Sequence, residues 1–280
     1  MSRIRLGQVD YLSCLPIYHP LEEGLLPLEA ELVKGPPTTL NRLLLSDQLD
    51  VTPMSSIEYA RNVDHCLILP DLSISADGRV ESTLLFSKVP VTELDGKKIC
   101  LTSSSATAVA LLKILFEHYY HLDVEFETVP PNLESMMERV DGALLIGDDA
   151  MRAHQFVINR NGLYQVTDLG EAWKQFTGAK MVYALWVVRR DYAERDAESV
   201  DLLGKTLLDA LKIGFAQYPS LMAKAQQRSG LPQSVIEDYF QIMQYELGEE
   251  SRKALLTFYD YAYKSGLIDE RACLHVWGEL

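Results

Sequence analysis

The hydrophobic period of this sequence switches between two values, and the alternation runs twice. Short apolar runs of strand character alternate with helically spaced stretches from residue 4 to residue 86. The alternation restarts at Lys98 and runs to Val188, and from Glu198 onward only helical spacing remains. In the first round 4–9, 28–33, 50–54, 67–69 and 80–86 read as strands. Helices over 38–49, with Thr38-Thr39 as its cap, and from Ile57 lie between them, and Asp77-Gly78 supplies a turn. In the second round 98–101, 123–129, 142–147, 165–169 and 181–188 read as strands, and 106–119, 133–140 and 150–156 as helices. The tail reads as helices over 198–217, 219–229, 232–245 and 249–265, with Gly230, Gly248 and Gly266 as stops. Such alternation builds a mostly parallel sheet covered by helices. Two rounds predict an α/β chain of two lobes, each a mixed, mostly parallel sheet flanked by helices, and 280 residues suffice for both. The segments 80–90 and 181–190 bracket the second round and are the expected crossovers. The first lobe is therefore expected to comprise 1–87 and 189–280, with the helical tail packed back on it, and the second lobe 88–188, with a ligand cleft between them.

In open α/β sheets, ligands lie at the carboxyl ends of strands, beside helix N-termini. Three strand-to-helix junctions of this chain carry hydroxyls there: Ser13, Ser55-Ser56, and the run from Ser103 to Thr107. A helix N-terminus leaves N–H groups unpaired and carries a partial positive charge, which attracts carboxylate or phosphate. Ser and Thr add donors without bulk. The same side chains also serve as ordinary N-caps, worth about 1 kcal/mol each. Three such junctions in a two-lobed chain point to a cleft for a small anion.

A formal net charge of -14 argues against nucleic acid and against an anionic membrane surface as partners, since both are bound through Lys and Arg. It leaves room for a small anion in a locally positive pocket. Cys14, Cys66, Cys100 and Cys273 are far apart and form no CxxC pair, so they read as buried free thiols and not as a zinc or redox site. No apolar run approaches the roughly 20 residues of a membrane span. The opening Met-Ser-Arg-Ile-Arg-Leu-Gly lacks the apolar core of a secretory leader, so a cytoplasmic protein is expected.

The sequence has no GxSxG elbow, GxGxxG, phosphate-binding loop or HExxH. His118 and His121 share a helix face and read as solvated. One of Asp148 and Asp149 is expected to cap the helix that follows, and Glu249-Glu250 to form the first turn of another. Trp173 and Trp186 read as core.

Five blocks carry a further signal. They are Gln8-Val-Asp-Tyr-Leu-Ser-Cys-Leu-Pro16, Asp50-Val-Thr-Pro-Met-Ser-Ser-Ile-Glu-Tyr-Ala60, Gly78-Arg-Val-Glu-Ser-Thr-Leu-Leu-Phe-Ser87, Leu144-Leu-Ile-Gly-Asp-Asp-Ala150 and Asp168-Leu-Gly-Glu-Ala-Trp173. In order and content they resemble chorismate dehydratases of the futalosine route to menaquinone. The resemblance covers residues from about 3 to 190, with a compatible tail. It implies the two-lobed fold of type II periplasmic binding proteins, reused as a cytoplasmic enzyme. The implied reaction is loss of water from chorismate, a small dicarboxylate, to give 3-[(1-carboxyvinyl)oxy]benzoate, with no metal or organic cofactor. The sister dihydroxynaphthoate synthase shares the fold, but its opening usually reads Ser-Pro-Cys-Pro-Asn-Asp and it uses a histidine in the second lobe. A non-catalytic carboxylate binder on the same scaffold is the other alternative.

The resemblance assigns Ser82 to the cleft, to orient the leaving hydroxyl or relay a proton. Ser13 stands where the family usually has a functional Asn, and Thr177-Gly-Ala-Lys180 where it commonly has Thr-Gly-Leu-Pro. Ser55 and Ser56 are expected to donate to one substrate carboxylate, and Ser105, the Ala106 N–H and Thr107 to the other. Asp148 is expected as a polar contact or, preferentially, a helix cap. No side chain stands out as the base, and a carboxylate of the substrate can fill that role.

Overall fold

The computed structural model describes residues 3–279; Met1, Ser2 and Leu280, part of the expected first lobe, lie outside the described residues. Five strands form one sheet: β1 (Ile4–Gln8), β2 (Ala30–Lys34), β3 (Val51–Ser55), β4 (Cys66–Ala76) and β10 (Met181–Arg189), in the order β2-β1-β3-β10-β4. The second sheet holds β5 (Thr83–Ser87), β6 (Lys98–Thr102), β7 (Glu125–Val129), β8 (Gly142–Ile146) and β9 (Gln165–Asp168), in the order β7-β6-β8-β5-β9. In each sheet four strands share one direction, three of them as adjacent parallel neighbours. β10 runs antiparallel to both its neighbours in the first sheet, as β5 does in the second. The two rounds of alternation thus produce two copies of one topology. The apolar runs of β3, β5 and β8 are buried along their whole length, as strands covered by helices on both faces must be.

Helices α1 (Leu15–Glu22), α2 (Pro37–Leu45) and α3 (Ser56–Arg61) belong to the first round; α1 is entered through a 3-10 turn at Leu12–Cys14. Helices α4 (Ala106–Leu115), α5 (Leu133–Met137), α6 (Gly147–Asn159) and α7 (Leu169–Thr177) belong to the second, and α4 runs on into a π turn at Phe116–Tyr120. After β10 come α8 (Arg190–Arg195), α9 (Ala197–Ala216), α10 (Tyr218–Ser229), α11 (Gln233–Ile242) and α12 (Glu249–Lys264).

Strand pairing moves the crossovers. Residues 80–86 do not form one strand, and Asp77-Gly78 does not close a hairpin. β4 ends at Ala76 in the first sheet, and β5 starts at Thr83 in the second. β10 returns the chain to the first sheet at Met181. Sorted by sheet, the chain crosses at 77–82 and 178–180, earlier than the 87/88 and 188/189 boundaries read from the sequence. Thr38-Thr39 caps nothing: α2 begins at Pro37, where the missing proline N–H is harmless, and Pro36 occupies the cap position.

The tail packs on both lobes, not on the first alone. α9 lies so close on α1 that a Cβ at Gly214 would come within 2.0 Å of the Pro16 carbonyl oxygen, which only glycine tolerates. Tyr259 of α12 donates to the Ser56 carbonyl at 2.9 Å. On the other side of α12, Phe258 and Tyr261 pack edge-on against Trp173 of α7, with ring centroids 5.9 and 5.7 Å away. Trp173 and Trp186 are fully buried, as expected of core residues; burial of one large apolar side chain stabilises by roughly 1.5–3 kcal/mol. Cys14, Cys66 and Cys100 are buried and free, while Cys273 is exposed. Glu249 and Glu250 form the first turn of α12. His118 is bonded to Ser265 at 2.9 Å instead of facing solvent, and His121 ends the π turn in the left-handed conformation. Among the described residues no helix is long and apolar enough to cross a membrane.

Candidate active site

Between the two sheets lies a cleft lined by residues of both rounds, among them Val9, Ile74, Ile146 and Gly147. Four of its lining residues, Cys14, Ser55, Ser105 and Ile146, are the N-cap positions of α1, α3, α4 and α6. Two of these helices come from each round of the alternation. Their positive ends converge on one space, an arrangement that favours an anion.

Ser13, Ser55, Ser82 and Ser105 all line this cleft. The hydroxyls at the helix starts divide into two uses. Ser105 caps α4, accepting from the Ala108 N–H at 3.2 Å. Ser55 stands at the cap of α3 but makes no capping bond. The Ile57 N–H, in the first turn of α3, instead donates to Thr107 Oγ1 at 3.3 Å, across from α4. Ser56 gives its proton to the Val182 carbonyl at 2.8 Å, with Thr107 Oγ1 3.3 Å away. Ser56 and Thr107 therefore spend their hydroxyls joining the two halves of the molecule, and neither lines the cleft. Ala106 lines a neighbouring depression with Thr38 and Asn41.

Asp148 is not a cap either. It lies in the first turn of α6, buried, and its Oδ1 accepts the Leu12 N–H from the opposite lobe at 2.9 Å. Burial pushes its carboxyl up to about 6, against the lowering effects of that hydrogen bond and of Arg152. Beside it, Gly147 has φ of +60°, and a Cβ there would press on the Tyr11 ring at 3.1 Å. Its N–H donates to the Ser82 carbonyl at 2.7 Å, tying the α6 turn to the crossover.

Ser82 ends the crossover 77–82. Its neighbour Glu81 takes a left-handed φ of 59°, unusual for a residue with a Cβ. Asp168 holds this backbone: its Oδ2 accepts the Val80 and Glu81 N–H groups at 2.9 and 2.7 Å, and its Oδ1 caps α7 through Gly170 and Glu171. Ser82 is itself buried, and Oγ accepts a hydrogen bond from Tyr239 at 3.1 Å.

The remaining donors were not singled out in the sequence. Tyr11, Tyr183, Tyr239 and Thr83 also line the cleft. Tyr11 sits inside a block quoted for its serine. Tyr183 reads as one more apolar residue of a crossover strand, and Tyr239 as one of a tail helix; nothing in their local sequence marks them. The Tyr183 hydroxyl is buried without a partner among the described residues. Among the described residues, no Asp, Glu, Lys, Arg or His lines the cleft. Its titratable members are held neutral by burial: Cys14 and Tyr11 are pushed up to about 12, and Tyr183 and Tyr239 above the ordinary phenol range. Among the described residues, no three His, Cys, Asp or Glu side chains converge in a metal-holding group. Chemically the cleft is neutral, with hydroxyls set among apolar side chains such as Val9, Ile74, Val80 and Met243 at four helix N-termini. It can orient an anion and stabilise developing charge, and it contains no general base of its own.

A family profile described as menaquinone biosynthesis matches residues 4–264. A chorismate dehydratase of Thermus thermophilus is 32% identical over 90% of this chain and 93% of its own length. A 1,4-dihydroxy-6-naphtoate synthase of the same organism is 26% identical over 95% of this chain and 96% of its own. Among solved structures, a periplasmic aliphatic sulphonate binding protein of Escherichia coli superposes with a TM-score of 0.68 at 16% identity, over 99% of this chain and 92% of that one. The fold is thus that of the periplasmic binding proteins.

Proposed function

The chain belongs to the menaquinone-biosynthesis family, and from that premise we propose that it is a hydro-lyase removing water from chorismate to give 3-[(1-carboxyvinyl)oxy]benzoate. On this reading it acts in the cytoplasm, in the futalosine route. The observation that carries the proposal is the neutral, hydroxyl-lined cleft at four helix N-termini. Chorismate brings two carboxylates, and such a cleft pairs them without fixed cations.

The elimination breaks one ring C–H bond and the C–O bond of the ring hydroxyl. The proton and the hydroxyl leave together as water, and the ring becomes aromatic. The energetics of the ring already favour this, so the protein has only to orient the substrate, stabilise developing charge and exclude bulk water. Ser82 donates to the departing oxygen. Ser55 and the α3 N-terminus hold one carboxylate, and the N-terminus of α4, which Ser105 caps, attracts the other. Ser13 contributes a single hydroxyl where the family usually has an amide, so one contact is made where two are available elsewhere. A carboxylate of the substrate takes the ring proton and passes it to the departing hydroxyl, which leaves as water, since no protein carboxylate or imidazole lines the cleft among the described residues. Asp148 is not assigned as base: it is absent from the cleft lining, and its Oδ1 is engaged by Leu12. The absence of a cleft histidine also favours this reaction over that of the sister synthase.

The test is direct: purified protein is incubated with chorismate and the aromatic product followed by absorbance and mass. Formation of the benzoate ether, lost at least tenfold in Ser82→Ala (about 1.4 kcal/mol), is expected. Binding without turnover would instead support a carboxylate-binding protein.

A further inference from the structure

The hydrogen bond between Tyr239 and Ser82 joins elements far apart in sequence. Tyr239 is on α11, in the tail, and Ser82 is in the crossover between the sheets. The phenol donates to Ser82 Oγ at 3.1 Å, and both side chains are buried and line the cleft. A serine hydroxyl that accepts in this way has its own proton left over. Ser82 Oγ donates to no other group among the described residues and lines the cleft, so a substrate there can receive that proton.

Three further contacts fix the phenol relative to the serine. Asp238, next to Tyr239, is bonded by Arg79 of the same crossover at 2.8 Å. Downstream, Gln244 and Ser75 exchange backbone hydrogen bonds at 2.9 Å each way, tying the segment just after α11 to the end of β4 before the crossover. The serine and its donor are thus mounted on two segments laced to each other at both ends. Burial holds the phenol above its ordinary range, so it stays protonated as a donor throughout the working pH range.

We propose that Tyr239 is a positioning residue that sets the direction of the Ser82 proton, making Ser82 a donor to the departing hydroxyl and not an acceptor from it. The inference rests on the dehydratase reading and deepens it: the tail helix, and not only the two lobes, completes the site.

The experiment compares the full-length protein with Tyr239→Phe, Ser82→Ala and the double variant, using chorismate as substrate. Tyr239→Phe keeps the ring and its packing. It is expected to lower kcat about tenfold with KM within about twofold, because a positioning effect falls on the transition state and not on binding. In the Ser82→Ala background, Tyr239→Phe is expected to cost nothing further, since the two hydroxyls act as one unit. Thermal unfolding of each variant shows that it is folded. An unchanged kcat in Tyr239→Phe, or an equal further loss in the Ser82→Ala background, overturns the role of Tyr239 while leaving the dehydratase reading in place. Absence of chorismate turnover by the parent protein overturns the reading and this role together.

Discussion

A serine at a helix start is ambiguous until its hydrogen-bond partner is known, and here two such serines resolve in opposite ways. Ser105 spends its oxygen on the Ala108 N–H. Ser55 is free to face a ligand because Thr107, from the other half of the molecule, accepts the N–H that a capping Ser55 would have taken. The substitution of each by Ala separates the two uses. Ser105→Ala should lower stability by about 1 kcal/mol, the ordinary value of a cap. Ser55→Ala should leave the melting temperature nearly unchanged and raise KM for chorismate about tenfold, the loss of one hydrogen bond to a charged group. Thermal unfolding and steady-state kinetics on the same preparations check both. A stability loss in Ser55→Ala matching that of Ser105→Ala would make Ser55 a cap after all.

Elements were legible where a hydrophobic period persisted and illegible where chain direction had to be known. Strand β8 and helices α9, α10 and α12 fall close to the spans read from the sequence. The crossover at 77–82 does not, because the apolar residues on either side of it serve two different sheets, and periodicity carries no information on which sheet a strand joins. The site follows the same rule. Ser13, Ser55 and Ser82 lie in the five blocks and Ser105 in the hydroxyl run before a helix, while Tyr239 reaches Ser82 only through tertiary packing. Asp148 shows how an element's end can be reused: a carboxylate in the first turn of α6, expected to cap it, docks on the Leu12 N–H instead. That burial has a signed consequence. The carboxyl sits near 6 when folded and near 3.9 in the unfolded chain. Between those values the folded protein holds a proton that the unfolded chain has released, so this group's contribution to stability falls as pH rises from about 4 to about 6 and stays low above that. Asp148→Asn keeps an acceptor oxygen for Leu12 and removes the charge. The variant should gain on the parent across that window, by an amount on the order of 2 kcal/mol at neutral pH. Denaturant unfolding at a series of pH values reads this out, and a difference that does not vary with pH would assign the burial cost elsewhere.

At the scale of the whole molecule, the two sheets are joined by two crossovers, by the tail, and by two hydrogen-bonded clasps flanking the cleft. One clasp is Leu12 with Asp148; the other is Ser56 and Ile57 with Thr107. The clasps bind first-round groups to second-round side chains across the cleft, so moving the sheets apart would break them. A ligand that prefers the closed form must be resisted or helped by whatever they contribute. Thr107→Val fills nearly the same volume without the hydroxyl and strands the buried Ile57 N–H, at a cost of about 1–3 kcal/mol. If this clasp governs closure, the unliganded variant should show a larger radius of gyration by solution scattering than the parent. The two should converge when chorismate saturates them in a Ser82→Ala background, where turnover is suppressed. KM should rise along with the expansion, because part of the binding free energy now goes into closing the lobes. A variant that unfolds more easily yet keeps the parent's radius and KM would reduce Thr107 to a brace for α3, and would leave closure to the tail, whose helix α12 already touches both lobes.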